Sequence, residues 1–279
     1  MEQGRRLPAG KEEGALARYV LKYGGTSVAS AKRLYAAART MAALRREGHE
    51  VVAVLSAQGS STDALIARAR EIDPDCAGRE LDQLLSTGEI CSVSLCAMAL
   101  KRLGMPAVSL CGWQAGLRTE ETHGSARILR LEGRRVEQEL EKGNIVLVAG
   151  FQGINDAGDV TTLGRGGSDT TAVALAAFLH ADCCRIYTDV DGIYNKDPRK
   201  FSDAVKFETI GYSEMLTLAR GGAQVLHEMT VFPVREKNIP LNIRNTNEPN
   251  HPGTLISDDF IEPPNTQRFI TGIAGKRDF

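Results

Sequence analysis

Two glycine motifs that mark common nucleotide sites are absent from this sequence. No segment reads Gly-x-x-x-x-Gly-Lys followed by Ser or Thr, and no Gly-x-Gly-x-x-Gly follows a strand pattern. The first absence excludes a P-loop enzyme, and the second argues against a Rossmann dinucleotide site. Any glycine-rich turn in this chain must therefore be interpreted from its own residues.

Cysteine is scarce and is not arranged for metal binding. The chain has six, at Cys76, Cys91, Cys96, Cys111, Cys183 and Cys184. None forms a Cys-x-x-Cys pair or a Cys/His cluster with zinc spacing. Several lie in apolar runs, which favours buried free thiols and a reducing cytoplasm as the location.

The sequence also lacks an excess of charge of either sign and a long apolar run. Lys and Arg number 34 and Asp and Glu 35, so the net charge of −1 does not favour nucleic acid or an anionic membrane surface. No apolar run approaches the roughly 18 residues of a membrane span, and the start has no signal-peptide pattern. We therefore expect no nucleic-acid partner and no membrane association, and we expect the polar residues 1–18 to be a disordered lead-in.

What the chain does contain is apolar runs that alternate with helical patterns. The 279 residues, 42% of them hydrophobic, allow one large domain or two small ones. Strands are predicted at residues 20–21, 51–55, 145–149 and 185–190, and helices at 29–46, 79–103 and 124–142. This alternation predicts an α/β fold with a mainly parallel sheet, whose ligands bind at the carboxyl ends of the strands. The glycine-rich and polar clusters fall at those ends.

The most informative cluster spans residues 161–171 and reads Thr-Thr-Leu-Gly-Arg-Gly-Gly-Ser-Asp-Thr-Thr. Three glycines that permit close approach and positive φ lie in it, at Gly164, Gly166 and Gly167. Ser168 or Asp169 can cap the following helix, whose N-terminus favours negative charge. Arg165 adds a bidentate donor suited to carboxylate or phosphate. An ordinary glycine loop before a helix has the same pattern, so an anion site remains one of two interpretations.

Polar side chains end two further strands and one helical region. Lys22, before a pair of glycines, is either a charge for a transferring phosphoryl group or a surface lysine. Residues 54–63 supply short hydroxyl donors, or only a capping turn. Glu89 precedes the apolar run 90–100, so we expect it to be partly buried and to need a partner, either a substrate ammonium or a nearby Arg or Lys.

Residues 188–199 crowd acidic, glycine and aromatic side chains at the end of a strand. They would suit the base, ribose and phosphates of a nucleotide, with Arg199 on the phosphates. The same residues also make an ordinary turn.

In this order, the segments resemble the amino-acid kinase superfamily, and most closely the catalytic domain of aspartokinases. The resemblance covers about residues 19–257. Its motifs are K-x-G-G-T-S-V at 22–28, T-T-L-G-R-G-G-S-D at 161–169, T-D-V-D-G-I-Y at 188–194, D-P-R at 197–199 and P-G-T-L-I at 252–256. It implies a three-layer αβα sandwich, with the amino acid in the N-terminal half and ATP with Mg²⁺ in the C-terminal half.

The resemblance also implies a reaction, the phosphorylation of the L-aspartate β-carboxylate by ATP. Lys22 would contact the phosphoryl group and Asp169 would orient Lys22. Aspartate would be held by Ser56, Thr62, Glu89, Phe151, Arg165, Gly166, Gly167 and Ser168, with Arg165 on a carboxylate and Glu89 on the ammonium. The nucleotide pocket would comprise Lys22, Gly24, Gly25, Thr188, Asp189, Tyr194 and Arg199. No protein base is needed because the substrate carboxylate is already ionised, and no side chain is assigned to a metal.

The chain departs from the family pattern at Gln224. Family members usually have G-A-K-V-L-H-P, where residues 222–228 read Gly-Ala-Gln-Val-Leu-His-Glu. Gln224 can donate a hydrogen bond but carries no positive charge, and losing one such preorganised group typically costs ~10² to 10³ in rate. Three interpretations stay open: a slower aspartokinase, a kinase for another carboxylate, and an inactive kinase-like binding partner.

A second departure is at the end of the chain. Family members usually continue into effector-binding regulatory domains, called ACT domains. Residues 269–274 resemble their entrance, and the sequence stops at Phe279. We therefore expect residues 258–279 to be a tail and the activity to lack feedback regulation. A homodimer or a separate regulatory subunit stays open.

Overall fold

The computed structural model describes residues 16–220 and 233–258. The strands are β1 (Arg18–Tyr23), β2 (Glu50–Leu55), β3 (Ala107–Leu110), β4 (Leu117–Thr119), β5 (Ile128–Leu131), β6 (Ile145–Ala149), β7 (Gln152–Ile154), β8 (Val160–Thr162), β9 (Cys183–Thr188), β10 (Thr209–Ile210), β11 (Leu241–Asn245) and β12 (Thr254–Ile256). The helices are α1 (Ala31–Arg46), α2 (Ser61–Ile72), α3 (Arg79–Arg102), α4 (Arg134–Glu141), α5 (Gly167–Phe178) and α6 (Tyr212–Arg220), with a 3₁₀ helix (Gly25–Val28) after β1.

The central sheet is mainly parallel, as the sequence predicts. Its order is β10-β12-β11-β9-β1-β2-β6-β3. Every neighbouring pair from β11 across to β3 is parallel, and only β12 runs antiparallel to β11. The carboxyl ends of β11, β9, β1, β2 and β6 consequently lie along one edge.

Helices cover both faces of this sheet and make two hydrophobic cores. On β2, Val51 faces the core with α1 and α3, whereas Val52 faces the core with α4, α5 and α6. This period of two is the strand signature of a sheet buried on both sides. The predicted three-layer αβα sandwich is therefore confirmed.

A second, four-stranded sheet, in the order β5-β4-β7-β8, was not predicted. The prediction of a single helix over residues 124–142 was wrong. Residues 128–131 form β5, which pairs antiparallel with β4, and only residues 134–141 are helical. Ile128 and Leu131 pack against the core from this strand, so tertiary pairing overrides the local helical pattern of charged residues.

Helix α3 corrects a second expectation, that no apolar stretch approaches membrane length. By length and composition alone it could cross a membrane, and 56% of its most apolar 18-residue window is buried inside the fold. It contacts α1, α2, β2, β3, β6 and β8, which makes it a core helix of the sandwich. All six cysteines are free thiols, with Cys96, Cys183 and Cys184 buried and Cys91 exposed.

Candidate active site

The predicted functional segments meet at the carboxyl edge of the central sheet. Tyr23 at the end of β1 is in register with Leu55 of β2 and with Tyr187 of β9. Leu55 is in turn in register with Ala149 of β6. The ends of these strands therefore lie side by side. Lys22 and Thr188 are at the ends of β1 and β9, and Ser56 and Phe151 follow β2 and β6 within two residues.

Lys22 and Asp169 form an ion pair at the centre of this edge. The distance from Lys22 Nζ to Asp169 Oδ1 is 2.8 Å, and the two side chains are only 12% and 21% exposed. Asp169 lies in the first turn of α5, so the pair joins β1 to the helix that follows the glycine turn. A partly buried carboxylate that holds the ammonium in one place leaves its charge fixed at the strand end.

The loops after β1 and β2 approach each other closely at Gly25. The carbonyl oxygen of Gly25 accepts a hydrogen bond from the N–H of Gly59 at 3.0 Å. A Cβ on Gly25 would lie 2.6 Å from the carbonyl oxygen of Ala57, which no real side chain tolerates. Glycine is therefore required here by the approach of two backbones.

Glu89 is buried with one oxygen left for a ligand. The residue is 3% exposed, and its Oε1 accepts a hydrogen bond from the N–H of Ala57 at 3.0 Å. Its Oε2 makes no hydrogen bond with any residue in the described part of the chain. Burial raises the pKa of Glu89 to about 7, against the lowering effect of the Ala57 N–H. Within residues 16–220 and 233–258 no Lys or Arg pairs with it, so the salt bridge considered from the sequence is not formed there.

The glycine turn has the positive φ angles expected at two of its three glycines. Gly164 has φ 71° and Gly166 has φ 74°. Gly167 instead begins α5, and a Cβ there would lie 2.9 Å from Cδ2 of Phe151. Its missing side chain thus makes room for Phe151, rather than permitting an unusual φ.

The prediction that Ser168 or Asp169 caps α5 was wrong. The N-cap residue is Gly166, the N–H of Gly167 donates to the carbonyl of Gly164 at 3.0 Å, and no side chain among the described residues caps the first turn. Asp169 turns to Lys22, and Ser168 packs its Oγ so close to Gly150 that a Cβ on that glycine would lie 2.7 Å away. The first turn of α5 therefore keeps uncapped N–H donors beside the site.

Phe151 and Arg165 flank this turn. Phe151 has φ 68°, which is strained for a non-glycine residue, and its backbone is held by Thr171 Oγ1 at 3.2 Å and by the N–H of Leu163 at 2.9 Å. Arg165 is exposed and makes no hydrogen bond or ion pair with the residues that the structure describes. Its guanidinium is available to an anion. Ser56 and Thr62 are half-buried at the start of the neighbouring loop and helix.

The predicted nucleotide residues lie after β9. Thr188 donates to Asp189 Oδ1 at 3.1 Å, and the hydroxyl of Tyr194 donates to both oxygens of Asp191 at 3.0 and 3.1 Å. Arg199 is 85% exposed and pairs with the nearby Asp197, and in the described residues nothing links it to Lys22. Gln224 lies outside the described residues.

Thr246, which was not predicted from the sequence, connects the loop after β1 to the segment after β9. Its Oγ1 lies 2.6 Å from Oγ of Ser27 and donates to the carbonyl of Thr188 at 3.0 Å. The 3₁₀ helix after β1 is thereby joined to the ends of β9 and β11. The only sequence signal was a hydroxyl residue directly after a strand.

No three His, Cys, Asp or Glu side chains converge on a metal position within the described ranges.

The chain matches the model of the amino acid kinase family over residues 17–245. Aspartokinase 2 of Bacillus subtilis (strain 168) is 50% identical over 255 residues, which cover 91% of this chain and 62% of that protein. This chain thus spans about three fifths of the length of the curated relatives it matches.

Two of the solved structures that share the fold are aspartate kinases. The aspartate kinase from Synechocystis is 43% identical, with a TM-score of 0.76 over 90% of this chain and 41% of its own. E. coli aspartokinase III in complex with aspartate and ADP is 28% identical, with a TM-score of 0.78 over 88% of this chain and 66% of its own.

Proposed function

The chain belongs to the amino acid kinase family, and on that premise we propose that it transfers a phosphoryl group from ATP to the β-carboxylate of L-aspartate, giving 4-phospho-L-aspartate. The resemblance to named aspartokinases at about half identity supports this substrate. A solved relative that holds aspartate and ADP supports the same pair of ligands.

The observation that carries the proposal is the free oxygen of Glu89. A buried carboxylate with an unsatisfied acceptor is costly unless a ligand donor meets it, and the ammonium of an amino acid is such a donor. Arg165 offers the complementary charge, a guanidinium that takes a substrate carboxylate in a bidentate pair. Ser56, Thr62 and Ser168 would add short hydroxyl donors.

On the phosphoryl side, Lys22 supplies the fixed positive charge. Asp169 holds its ammonium at 2.8 Å, so little reorganisation is needed when charge develops on the transferring group. The attacking β-carboxylate is already ionised near neutral pH, and the protein needs no base. Catalysis then consists of positioning and charge neutralisation.

The nucleotide would be held by the backbone at Gly24 and Gly25 and by the segment after β9, with Thr188, Asp189, Tyr194 and Arg199. Mg²⁺ would neutralise the phosphate oxygens of ATP, which with water would supply most of its ligands.

Gln224 motivates a second candidate function. If its missing charge abolishes turnover, the chain would bind aspartate and nucleotide as a partner subunit without transferring a phosphoryl group between them. A kinase for another carboxylate is the remaining alternative. The set of Ser56, Thr62, Glu89 and Arg165 would suit an amino acid with an α-ammonium, which weakens that alternative.

An acyl-phosphate trap separates these functions. Purified protein with ATP, Mg²⁺, aspartate and hydroxylamine should yield aspartyl hydroxamate. Lys22→Ala should remove the product, while Lys32→Ala, at an exposed lysine of α1, should not. Wild-type product no greater than that of Lys22→Ala would refute the proposed activity.

The role of Gln224 is tested in the same assay. If it slows the enzyme, Gln224→Lys should raise turnover. Binding of aspartate and nucleotide by calorimetry, with no product from either protein, would favour the partner-subunit function. Faster reaction with another acid would favour a different substrate.

A further inference from the structure

The buried carboxylate of Asp82 collects hydrogen bonds from two segments far away in the sequence. Asp82 lies on α3 and is 2% exposed. Its Oδ1 accepts from Thr162 Oγ1 at 2.7 Å, and its Oδ2 accepts from the N–H of Thr162 at 2.9 Å. The N–H of Gly124 lies 3.1 and 3.0 Å from the two oxygens, and Nδ1 of His123 lies 3.1 Å from Oδ2. Both carboxylate oxygens are therefore fully used.

Apart from His123, whose charge depends on its protonation, no cation compensates Asp82 within the described residues. Because a carboxylate only accepts, Nδ1 of His123 must carry the proton in this contact. An acid buried among neutral donors is expensive, and removing it would leave the N–H groups of Thr162 and Gly124 without an acceptor. Such an arrangement fixes its donors in place more firmly than an apolar contact would.

The two segments that Asp82 holds lie on either side of the glycine turn. Thr162 ends β8 directly before Leu163 and Gly164. The N–H of Ala126 donates to the carbonyl of Thr162 at 2.8 Å. A Cβ on Gly164 would lie 3.2 Å from the carbonyl oxygen of Gly124. The turn that carries Arg165 is therefore packed against backbone that Asp82 anchors.

The same helix also carries Glu89. Asp82, Ser86 and Glu89 follow one another at spacings of four and three residues and are all buried, so they share one face of α3. A rigid helix thus connects the group that would bind the ammonium with the group that anchors the turn bearing Arg165. Seven residues of α-helix separate them by roughly 10 Å along the axis.

We propose that Asp82 is a positioning residue that sets the Arg165 turn relative to Glu89, and so fixes the spacing of the two charges that recognise the amino acid. This inference rests on the proposed function. The nucleotide segment after β9 is held by other contacts, so Asp82 acts on the amino acid and not on ATP.

The test is the effect of Asp82→Asn on the kinetic constants for each substrate. The amide cannot accept at both positions, and we expect the KM for aspartate to rise about 10- to 100-fold, the usual effect of losing hydrogen bonds to a charged group. The KM for ATP and the kcat at saturating aspartate should stay within about 3-fold. A merely destabilised protein would lose active fraction without this split.

Four further variants control the test. Glu139→Gln changes another buried, hydrogen-bonded acid on α4, and the aspartate KM should not move. Thr162→Val removes one donor to Asp82 and should raise the aspartate KM, with rescue by Thr162→Ser. Thr161→Val, next to it on β8, removes a buried hydroxyl that bonds Thr119 instead, and should leave the aspartate KM unchanged.

Hydrogen exchange gives a readout that does not need activity. In Asp82→Asn the amides of residues 123–126 and 163–167 should exchange faster together, whereas Glu139→Gln should not accelerate them. An unchanged aspartate KM in both Asp82→Asn and Thr162→Val would overturn the proposal. If wild type makes no hydroxamate, the proposed function fails, and unchanged exchange in both segments would then overturn the positioning role independently.

Discussion

At Glu89, burial and the proposed binding of a substrate ammonium would act in opposite directions on the same carboxyl group. Burial raises its pKa from an ordinary 4.5 to about 7. Since the folded pKa lies above the unfolded one, the stability that the group contributes is complete below about pH 4.5 and is lost as pH rises through about 7. Near neutral pH the unliganded protein therefore carries a destabilising charge that a substrate ammonium would compensate.

Glu89→Gln should thus stabilise the unliganded protein while weakening aspartate binding. The rise of the Glu89 pKa from 4.5 to about 7 lowers the free energy of unfolding by about 2–4 kcal/mol at pH 8 and by little at pH 5. Glu89→Gln should remove this penalty. Urea unfolding at both pH values measures the difference. Glu139→Gln is a control with the opposite expected sign. The hydrogen bond from Lys142 lowers the pKa of Glu139, so the ionised carboxylate stabilises the fold and its replacement should lower the free energy of unfolding at pH 8. A Glu89→Gln protein less stable than wild type at pH 8 would contradict this account.

The Lys22–Asp169 pair makes a second prediction at the scale of residues. Asp169→Asn leaves the ammonium without its anchoring charge, and kcat should fall by about 10²-fold, as when one preorganised electrostatic group is lost. Glu50→Gln is a matched control because it breaks the Arg18–Glu50 pair at the opposite ends of β1 and β2. Steady-state kinetics should show no comparable loss in that variant, and an equal loss in both would indicate general destabilisation.

Among the elements, the loops after β1 and β2 depend on one glycine. Gly25→Ala would place a Cβ 2.6 Å from the Ala57 carbonyl, so the two loops must separate. Because the N–H of Ala57 holds Glu89, both Lys22 and Glu89 would be displaced, and we expect kcat/KM for aspartate to fall by at least about 10²-fold.

Gly211→Ala is the control for this change, since a Cβ there meets nothing closer than 3.9 Å. Its kcat/KM should match wild type. Circular dichroism should show that both variants keep their secondary structure. Wild-type activity in Gly25→Ala would mean that the close approach of the loops is not needed.

How much of these elements the sequence predicts depends on how local their cause is. Strands β2 and β6 follow from continuous apolar runs, and the positive φ of Gly164 and Gly166 follows from glycine itself. The three-residue strands of the second sheet have no such pattern, because they exist only through their partners. Likewise, the contact of Asp82 with Thr162 spans 80 residues and joins two elements that local patterns treat separately.

For the whole molecule, the central sheet is shared by two cores, so neither face should unfold alone. Val51 and Val52 are adjacent, identical in type and fully buried, but they face opposite cores. Each Val→Ala change removes two methyl groups, and we expect each to lower the free energy of unfolding by about 2–3 kcal/mol. If the sheet couples the cores, both variants should shift one common transition.

The coupling is measured by following urea unfolding with two probes, the fluorescence of the single tryptophan, Trp113, and far-ultraviolet circular dichroism. The two curves should coincide in wild type and in both variants, with unchanged m-values. Chains above about 150 residues often populate intermediates, so this coincidence is a demanding test. A transition that splits only in Val51→Ala would mean that the layer of α1 and α3, which carries Glu89 and Asp82, can open separately. The side of the site that carries Glu89 would then have its own stability, independent of the ion pair between Lys22 and Asp169 on the opposite face.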